Sequence, residues 1–202
     1  MANKLEEMLK GKLAMGSPAS ASYPGRAGAE DDKQPASSGS FSTRVHTQEV
    51  PERLVKDFQK ELFPAAAVDL SEGPHPLTCV TVAYKTSKPN TAVSDEWLEE
   101  REKVFADFIT KAKMVVEHIK DQEGCWADFI DTSSGAPFHT DSSTTLSEVD
   151  ERMPKLNGDL KIMELGCCKA VVHSEFGSSC IVGTIFTKAP EIVTRGATAI
   201  LK

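Results

Sequence analysis

The stretch from residue 178 to residue 188, SSCIVGTIFTK, decides the fold of this chain. Consecutive side chains of a strand point to opposite faces of a sheet. Here both faces are apolar: Cys180, Val182 and Phe186 share one face, and Ile181 and Ile185 share the other. A strand that is apolar on both faces belongs in the middle of a sheet, with helices covering at least one side. The stretch therefore predicts an α+β architecture, a single sheet flanked by helices.

Other stretches predict the neighbours of this strand. Residues 169–173 are rich in β-formers, and a Ser-Glu-Phe-Gly turn separates them from residues 178–188, so we expect the two runs to pair as an antiparallel hairpin. Residues 77–84 and 125–131 are typical of two further strands. Residues 51–63 predict a helix that begins at Pro51 and is ended by Pro64.

The strongest helical pattern runs from Asp95 to Gln122. Ser94 is a suitable N-cap, and Gly124 is a suitable left-handed stop. Apolar residues recur at three- and four-residue steps, which predicts an amphipathic helix of about 28 residues and roughly 42 Å. An apolar stripe of this length can also reach a second copy of the chain, so a homodimer stays open.

Composition divides the chain into two parts. Residues 1–47 are rich in Ser, Ala, Gly, Pro and charge, which predicts a disordered tail, and residues 48–202 form the α+β domain. Residues 1–15 have helical spacing but no Arg, which makes them a poor organelle-targeting presequence. We therefore expect a cytoplasmic protein, with mitochondrial delivery as the less supported alternative. Residues 191–202 predict a loosely attached end.

Charge and cysteine usage argue against several classes of protein. The 202 residues carry a net charge of −7 and no basic cluster, so we expect no nucleic-acid partner. No apolar run approaches the roughly 20 residues of a membrane span, so we expect no membrane partner. Five cysteines, an odd number, favour free thiols in a reducing compartment. Motifs for dinucleotide binding, phosphate binding, zinc proteolysis and serine hydrolysis do not occur.

The adjacent cysteines Cys167 and Cys168 carry the candidate chemistry. Their spacing is neither that of a zinc knuckle nor that of a dithiol oxidoreductase. In a strand their sulfurs point to opposite faces, so at most one thiolate faces a given cleft, where it can attack an electrophile or bind a metal held by other ligands. Polarity favours Cys167, which shares a face with Lys169 and His173, over Cys168 on the more apolar face. The alternative that both are core residues stays open.

Two catalytic arrangements are disfavoured by position. Cys168 and His173 fall on opposite faces of one strand, so His173 is a poor base for that thiol. Asp128 and Asp131 are close enough in sequence to suggest paired carboxylates. Aspartates beside a turn more often accept hydrogen bonds from its backbone amides, so we expect both to act as turn caps.

Several motifs together resemble one known family. They are Glu-Arg-Glu at residues 100–102, CWADFIDTSSG at 125–135, Asp-Glu-Arg at 150–152, LGCCK at 165–169, His-Ser at 173–174 and GTIFT at 183–187. Over residues 49–188 the chain is similar to the CblD family of cobalamin-trafficking proteins, which is altered in methylmalonic aciduria with homocystinuria type D.

The resemblance implies a nitroreductase-like fold without flavin and a protein that is not an enzyme. It implies an adapter that binds the cobalamin-processing protein CblC, shares cobalamin with it and directs the cofactor toward methionine synthase and methylmalonyl-CoA mutase. It assigns a cobalt–sulfur bond to the second cysteine of the pair, here Cys168, with Cys167 in reserve and Lys169 favouring the thiolate. A thiolate is a soft ligand suited to the axial position of cobalt in a corrin.

Two other classes stay open. One is a flavin-dependent oxidoreductase with the nitroreductase-like fold, against which the lack of a basic phosphate-binding cluster counts. The other is a thiol redox protein that uses Cys167 and Cys168, against which the strain of a disulfide between adjacent residues counts.

Overall fold

The computed structural model describes residues 41–92, 94–166 and 168–202, without the side chains of Gln122 and Glu123. Phe41–Lys202 forms one compact unit. The first strand begins at Thr43, so the predicted domain boundary at residue 48 comes too late. The rest of the predicted tail, residues 1–40, lies outside the described residues, and its disorder stays a prediction.

Six strands occur in the described residues: β1 Thr43–Glu49, β2 Thr78–Lys85, β3 Ala127–Phe129, β4 Leu160–Glu164, β5 Lys169–His173 and β6 Cys180–Thr187. Four of them form one antiparallel sheet in the order β1-β2-β6-β3. All residues of β6 are buried, and β6 lies between β2 and β3. The central position predicted from its two apolar faces is confirmed. Residues 77–84 are confirmed as a strand, while 125–131 contribute only the short β3.

Four α-helices occur in the same ranges: α1 Glu52–Asp57, α2 Asp95–Glu123, α3 Met153–Leu156 and α4 Glu191–Ala197. The predicted long helix is confirmed as α2. The Trp97 N–H donates to the Ser94 hydroxyl at 3.3 Å, and Gly124 has a φ of 61°. None of these helices combines the length and the apolar character needed to cross a membrane.

Each face of the four-stranded sheet carries its own core. On one face, α2 packs its apolar stripe against the inward side chains of β2 and β6: Val80, Val82, Ile181 and Ile185 meet Val104, Phe108, Ala112, Val115 and Ile119. On the other face, α1 continues as a π-helical turn, Phe58–Leu62. Phe58 and Phe63 each meet Phe186 edge to face at 5.3 Å. The helix predicted for residues 51–63 and the helices on the sheet are confirmed.

The prediction of a single sheet was wrong. β5 pairs antiparallel with β4 and forms a separate two-stranded sheet. Between β5 and β6 the chain makes an isolated bridge that joins His173 to Gly177, which precedes β6. The predicted β5–β6 hairpin therefore does not form. The pairing differs because a tight turn at Gly166, with φ of 85°, joins β4 to β5 directly. The mixed helix-and-sheet class is confirmed, and the likeness to nitroreductases stays a prediction.

The prediction of a loose C-terminal end was also wrong. After α4 the chain makes a 3-10 turn, Thr198–Leu201, and both elements pack on α2. Ala197 and Leu201 are fully buried, and the Thr43 hydroxyl donates to the Leu201 carbonyl at 3.3 Å. Half of residues 191–202 are apolar, and Val193, Ala197, Ile200 and Leu201 share the side that packs on the α2 core only once the segment is helical.

Candidate functional site

Cys168 lies at the tip of the β4–β5 hairpin, directly before β5. The Leu165 N–H donates to the Cys168 carbonyl at 2.8 Å and closes the turn, in which the positive φ of Gly166 is easily adopted. The Cys168 side chain is exposed. Cys167 lies outside the described residues, so the choice between the two thiols stays a prediction.

The two faces of the hairpin differ in what they contact. Leu160, Ile162 and Val171 point inward and pack on the core around α1. The opposite side, here called the outer face, consists of Lys161, Met163, Leu165, Cys168, Ala170 and Val172. Met163 is paired with Ala170, and Leu165 lies opposite Cys168 across the turn.

Near the turn the outer face is apolar and partly open to solvent, and its charged residue, Lys161, lies farther from Cys168 along the hairpin. Met163 is 38% exposed and Leu165 is 39% exposed, whereas most large apolar side chains of the described residues are buried. Strand alternation places Cys168 with Ala170 and Val172, as the sequence predicts. The thiol therefore lies on a surface suited to an apolar or flat partner.

Lys169 points away from the outer face. Its Nζ lies 2.7 Å from Glu151 Oε1, and Glu164 is its cross-strand neighbour. The hydrogen bond with Glu151 raises the pKa of Lys169 above its ordinary value. The Glu151 carboxylate thus already offsets the charge of this ammonium. Lys169 therefore favours the thiolate form of Cys168 less than the sequence predicts.

The other described cysteines are less accessible. Cys79 and Cys180 are fully buried, and Cys125 is partly buried. Burial raises the pKa of Cys180 to about 11 and the pKa of Cys79 still further. Buried thiols of raised pKa stay protonated and do not bind metals, because the thiolate is the ligand form. Cys168 is the exposed thiol among the described cysteines.

His173 does not serve Cys168. It is paired with Leu160 at the far end of the hairpin, whereas Cys168 follows the turn. Its Nδ1 accepts hydrogen bonds from the backbone N–H groups of Glu175 at 3.1 Å and Phe176 at 3.4 Å. The ring is 4% exposed and stacks on Phe176. His173 therefore shapes the chain after β5, and the disfavoured thiol–base couple is absent.

This buried imidazole predicts a pH dependence of stability. Desolvation lowers the pKa of His173 in spite of nearby Asp159 and Glu175, while Arg44 lowers it too. The unfolded chain, with a histidine pKa of about 6.5, binds the proton first. Stability is therefore full above pH of about 6.5 and is lost as the pH falls toward the lower pKa of the folded state.

We expect the urea concentration at the unfolding midpoint of the full chain to decrease when the pH is lowered from 7.5 to 5.5. In His173→Asn the side-chain oxygen can still accept the two N–H groups but does not titrate. This variant should lose clearly less stability over that interval than the wild-type chain does. Equal losses in both proteins would show that other groups carry the pH dependence.

Two asparagines that sequence reasoning did not single out hold the hairpin on the main sheet. The Asn157 side chain is 1% exposed and donates to the Thr81 hydroxyl of β2 at 2.8 Å. Its carbonyl oxygen accepts from the Asp159 N–H at 2.9 Å. The Asn90 amide donates to Val171 of β5 at 2.9 Å and to Cys180 of β6 at 3.3 Å. The position of the hairpin thus rests on contacts between residues 76 or more positions apart.

The two aspartates accept hydrogen bonds from backbone N–H groups. Asp128 Oδ1 accepts from the backbone N–H groups of Phe129 at 2.8 Å and His139 at 2.9 Å. Asp131 Oδ1 accepts from the N–H of Ser133 at 2.8 Å and from its hydroxyl at 2.7 Å. Burial raises the pKa of Asp131, but these hydrogen bonds outweigh it and the net pKa is lowered. Asp131 caps its adjoining turn as predicted, whereas Asp128 lies in β3 and joins that strand to His139.

The fold and the hairpin define a class of protein: an antiparallel α+β domain in which Cys168, among the described cysteines, is exposed beside apolar side chains at a hairpin tip. Comparison with known proteins identifies the family. The family model described as "Methylmalonic aciduria and homocystinuria type D protein" matches residues 26–195. The chain belongs to this family.

Curated relatives agree with this assignment. Proteins named cobalamin trafficking protein CblD from Mus musculus, Homo sapiens and Gallus gallus are each 41% identical to the chain over 143 residues. The match covers 70% of this chain and 45% of each relative. The chain thus matches less than half the length of these relatives.

Proposed function

We propose that the chain is an adapter in cobalamin trafficking, without enzymatic activity of its own. It accepts or stabilises cobalamin through a bond between the Cys168 thiolate and cobalt. The observation that carries the proposal is the exposed Cys168 beside the apolar side chains of the outer face, in a family whose curated members are named cobalamin trafficking proteins.

The donor chemistry of the outer face fits this cargo. Cobalt arrives already held by the corrin, so the protein has to supply one axial ligand, and a soft thiolate suits that position. A flat macrocycle can lie on Met163 and Leu165, the partly exposed apolar side chains on the Cys168 side of Lys161, without removing that ammonium from water. Lys169 is directed to Glu151 on the other side of the hairpin, so its ammonium does not have to be desolvated.

The partner and the targets complete the proposal. The adapter meets cobalamin on a CblC-like processing protein and passes it toward methionine synthase and methylmalonyl-CoA mutase. We place it in the cytoplasm, with no flavin bound and with the compact unit Phe41–Lys202 as the working domain. Whether it acts as a monomer or as a homodimer does not change the role of Cys168.

The proposal is tested by visible and electron-spin spectra of cob(II)alamin bound to a CblC-like protein, to which the full chain is added. The wild-type chain should produce a new cobalt–sulfur signature, and Cys168→Ala should abolish it. Cys125→Ala, which removes a partly buried thiol distant in sequence from the hairpin, is the matched control and should retain the signature.

Other outcomes are equally informative. Loss of the signature in Cys167→Ala alone would transfer the ligand role to the neighbouring cysteine. No spectral change despite co-elution of the two proteins would contradict thiolate transfer. A purified protein that is yellow, or a disulfide formed on mild oxidation together with loss of two thiols, would favour the flavin or thiol redox alternatives over the adapter.

A further inference from the structure

A cavity of about 210 Å³ lies on the domain apart from the residues of the outer face. Its walls come from α2, from the turn after β3, from the segment before Asp150 and from β6. The walls include Arg101 and the Thr-Ser-Ser-Gly turn at residues 132–135, which belong to motifs that the thiol site does not use.

One residue in the wall of the cavity has an unused hydrogen-bonding group behind the surface of the cavity. The Thr132 hydroxyl is buried and has no hydrogen-bond partner among the described residues, although it belongs to a residue that lines the cavity. A buried polar group without a partner costs free energy, and water or a ligand usually satisfies it. Ser147 lines the cavity too, and its oxygen is held in place because it accepts from the Val149 N–H at 3.2 Å.

Arg101 supplies donors to the cavity. Its guanidinium lies over the ring of Phe105 at 4.4 Å and near Trp97 at 5.7 Å. Its contact with Glu102 is 3.8 Å long, which is too long for a good hydrogen bond. The planar group is therefore fixed by stacking while N–H donors are available for a guest.

Glu148 supplies acceptors. One of its carboxylate oxygens accepts from the Val182 N–H at a long 3.3 Å. Burial raises the pKa of Glu148, partly against the effects of that hydrogen bond and of Arg101. The other carboxylate of the lining, Asp131, is engaged by Ser133. The cavity thus offers a guanidinium, a carboxyl group and hydroxyls together.

This combination selects a class of ligand. An anion would satisfy Arg101 but would meet two carboxyl groups, and a cation would satisfy those groups but would meet Arg101. Hydroxyl groups can donate to Glu148 and accept from Arg101 and Thr132. The apolar side chains of Phe105, Ile130, Leu146 and Val182 that line the same cavity suit the C–H face of a ring. The volume equals that of about seven water molecules, at roughly 30 Å³ each.

We propose that this cavity binds a polyhydroxylated ring of monosaccharide size. The site is independent of Cys168 and of the adapter function. It places a neutral polar ligand on the protein, held by Arg101 and Glu148 and ordered by Thr132.

The test is a titration of the full chain with D-ribose and D-glucose, followed by amide chemical shifts in NMR. At least one sugar should bind saturably, with shifts concentrated at residues 132–135 and 145–148. Arg101→Met and Glu148→Gln should each weaken binding by roughly tenfold, because each removes a hydrogen bond to a charged group. Cys168→Ala should leave the affinity unchanged.

The variant Thr132→Val separates a loss of binding from a loss of folding. Valine has nearly the shape of threonine and removes a buried hydroxyl that lacks a partner, so this variant should be at least as stable as the wild type. It should nevertheless bind the sugar more weakly. Absence of saturable binding up to about 100 mM of either sugar would overturn the proposal. A dissociation constant above that concentration corresponds to a binding free energy weaker than about 1.4 kcal/mol. Binding of sulfate in place of the sugars would overturn it as well.

Discussion

Gly183→Ala is expected to lower the free energy of unfolding by about 3 kcal/mol, near the upper end of the cost of overpacking a core. Gly183 lies in the central strand β6 and faces the ring of Phe108 on α2. A Cβ at this position would lie 2.3 Å from Phe108 Cε2 and 2.4 Å from Cδ2. These are ring atoms in a fully buried core, so relief requires α2 to move from the sheet. Urea denaturation gives the free energy directly.

Gly196→Ala is the matched control for this prediction. Gly196 lies in α4, and a Cβ there has no neighbour within 4 Å. Alanine at a helical position should stabilise the domain by roughly 0.5–1 kcal/mol. A double variant, Gly183→Ala with Phe108→Leu, should be less destabilised than the sum of the single variants, because the smaller side chain makes room. A loss below about 0.5 kcal/mol for Gly183→Ala would contradict the packing of Phe108 on β6.

Leu165→Glu is expected to weaken the complex with cobalamin-loaded CblC-like protein by more than about tenfold while leaving the domain folded. Leu165 is 39% exposed on the outer face, opposite Cys168. Complete burial of a leucine side chain contributes roughly 1.5–3 kcal/mol, of which the exposed part of Leu165 supplies a fraction, and a carboxylate in its place adds a larger desolvation cost. Since each 1.4 kcal/mol corresponds to tenfold in affinity, the effect should be large. Gel filtration and the cobalt–sulfur signature measure it.

Leu98→Glu is the control for the loss of an exposed leucine. Leu98 is 40% exposed on α2, almost the same as Leu165. If the outer face receives the cargo, Leu98→Glu should form the thiolate complex with unchanged affinity. Equal weakening in both variants would mean that added negative charge, rather than the outer face, disturbs the association. An unaffected Leu165→Glu would show that the complex forms away from the hairpin tip.

The candidate site could be predicted in part. Strand alternation predicts that Cys168 lies on the same face as Ala170 and Val172, and the register of the β4–β5 pair agrees with this. The ion pair between Lys169 and Glu151 was not predicted, because its partners are 18 positions apart and no local pattern connects them. Asn90 and Asn157 look like ordinary loop residues in the sequence. They become anchors of the hairpin only through long-range hydrogen bonds.

The sequence by itself determined the structural features that depend on residues close together in the chain. The helix from Asp95 onward follows from its cap, its stop and its apolar periodicity, and the central place of β6 follows from its two apolar faces. Family membership likewise rests on motifs that can be read in order along the chain.

Only the tertiary structure decided the pairing of β5, the docking of the C-terminal end and the different fates of Cys168 and Cys180. Both cysteines immediately precede or begin a β-rich run, yet one is exposed and the other is fully buried. The physical reason is that strand pairing and burial depend on which distant surfaces are available to cover an element. Several strands of a chain have similar β-propensity and could pair with a given strand. The packing of the whole core decides which of them does.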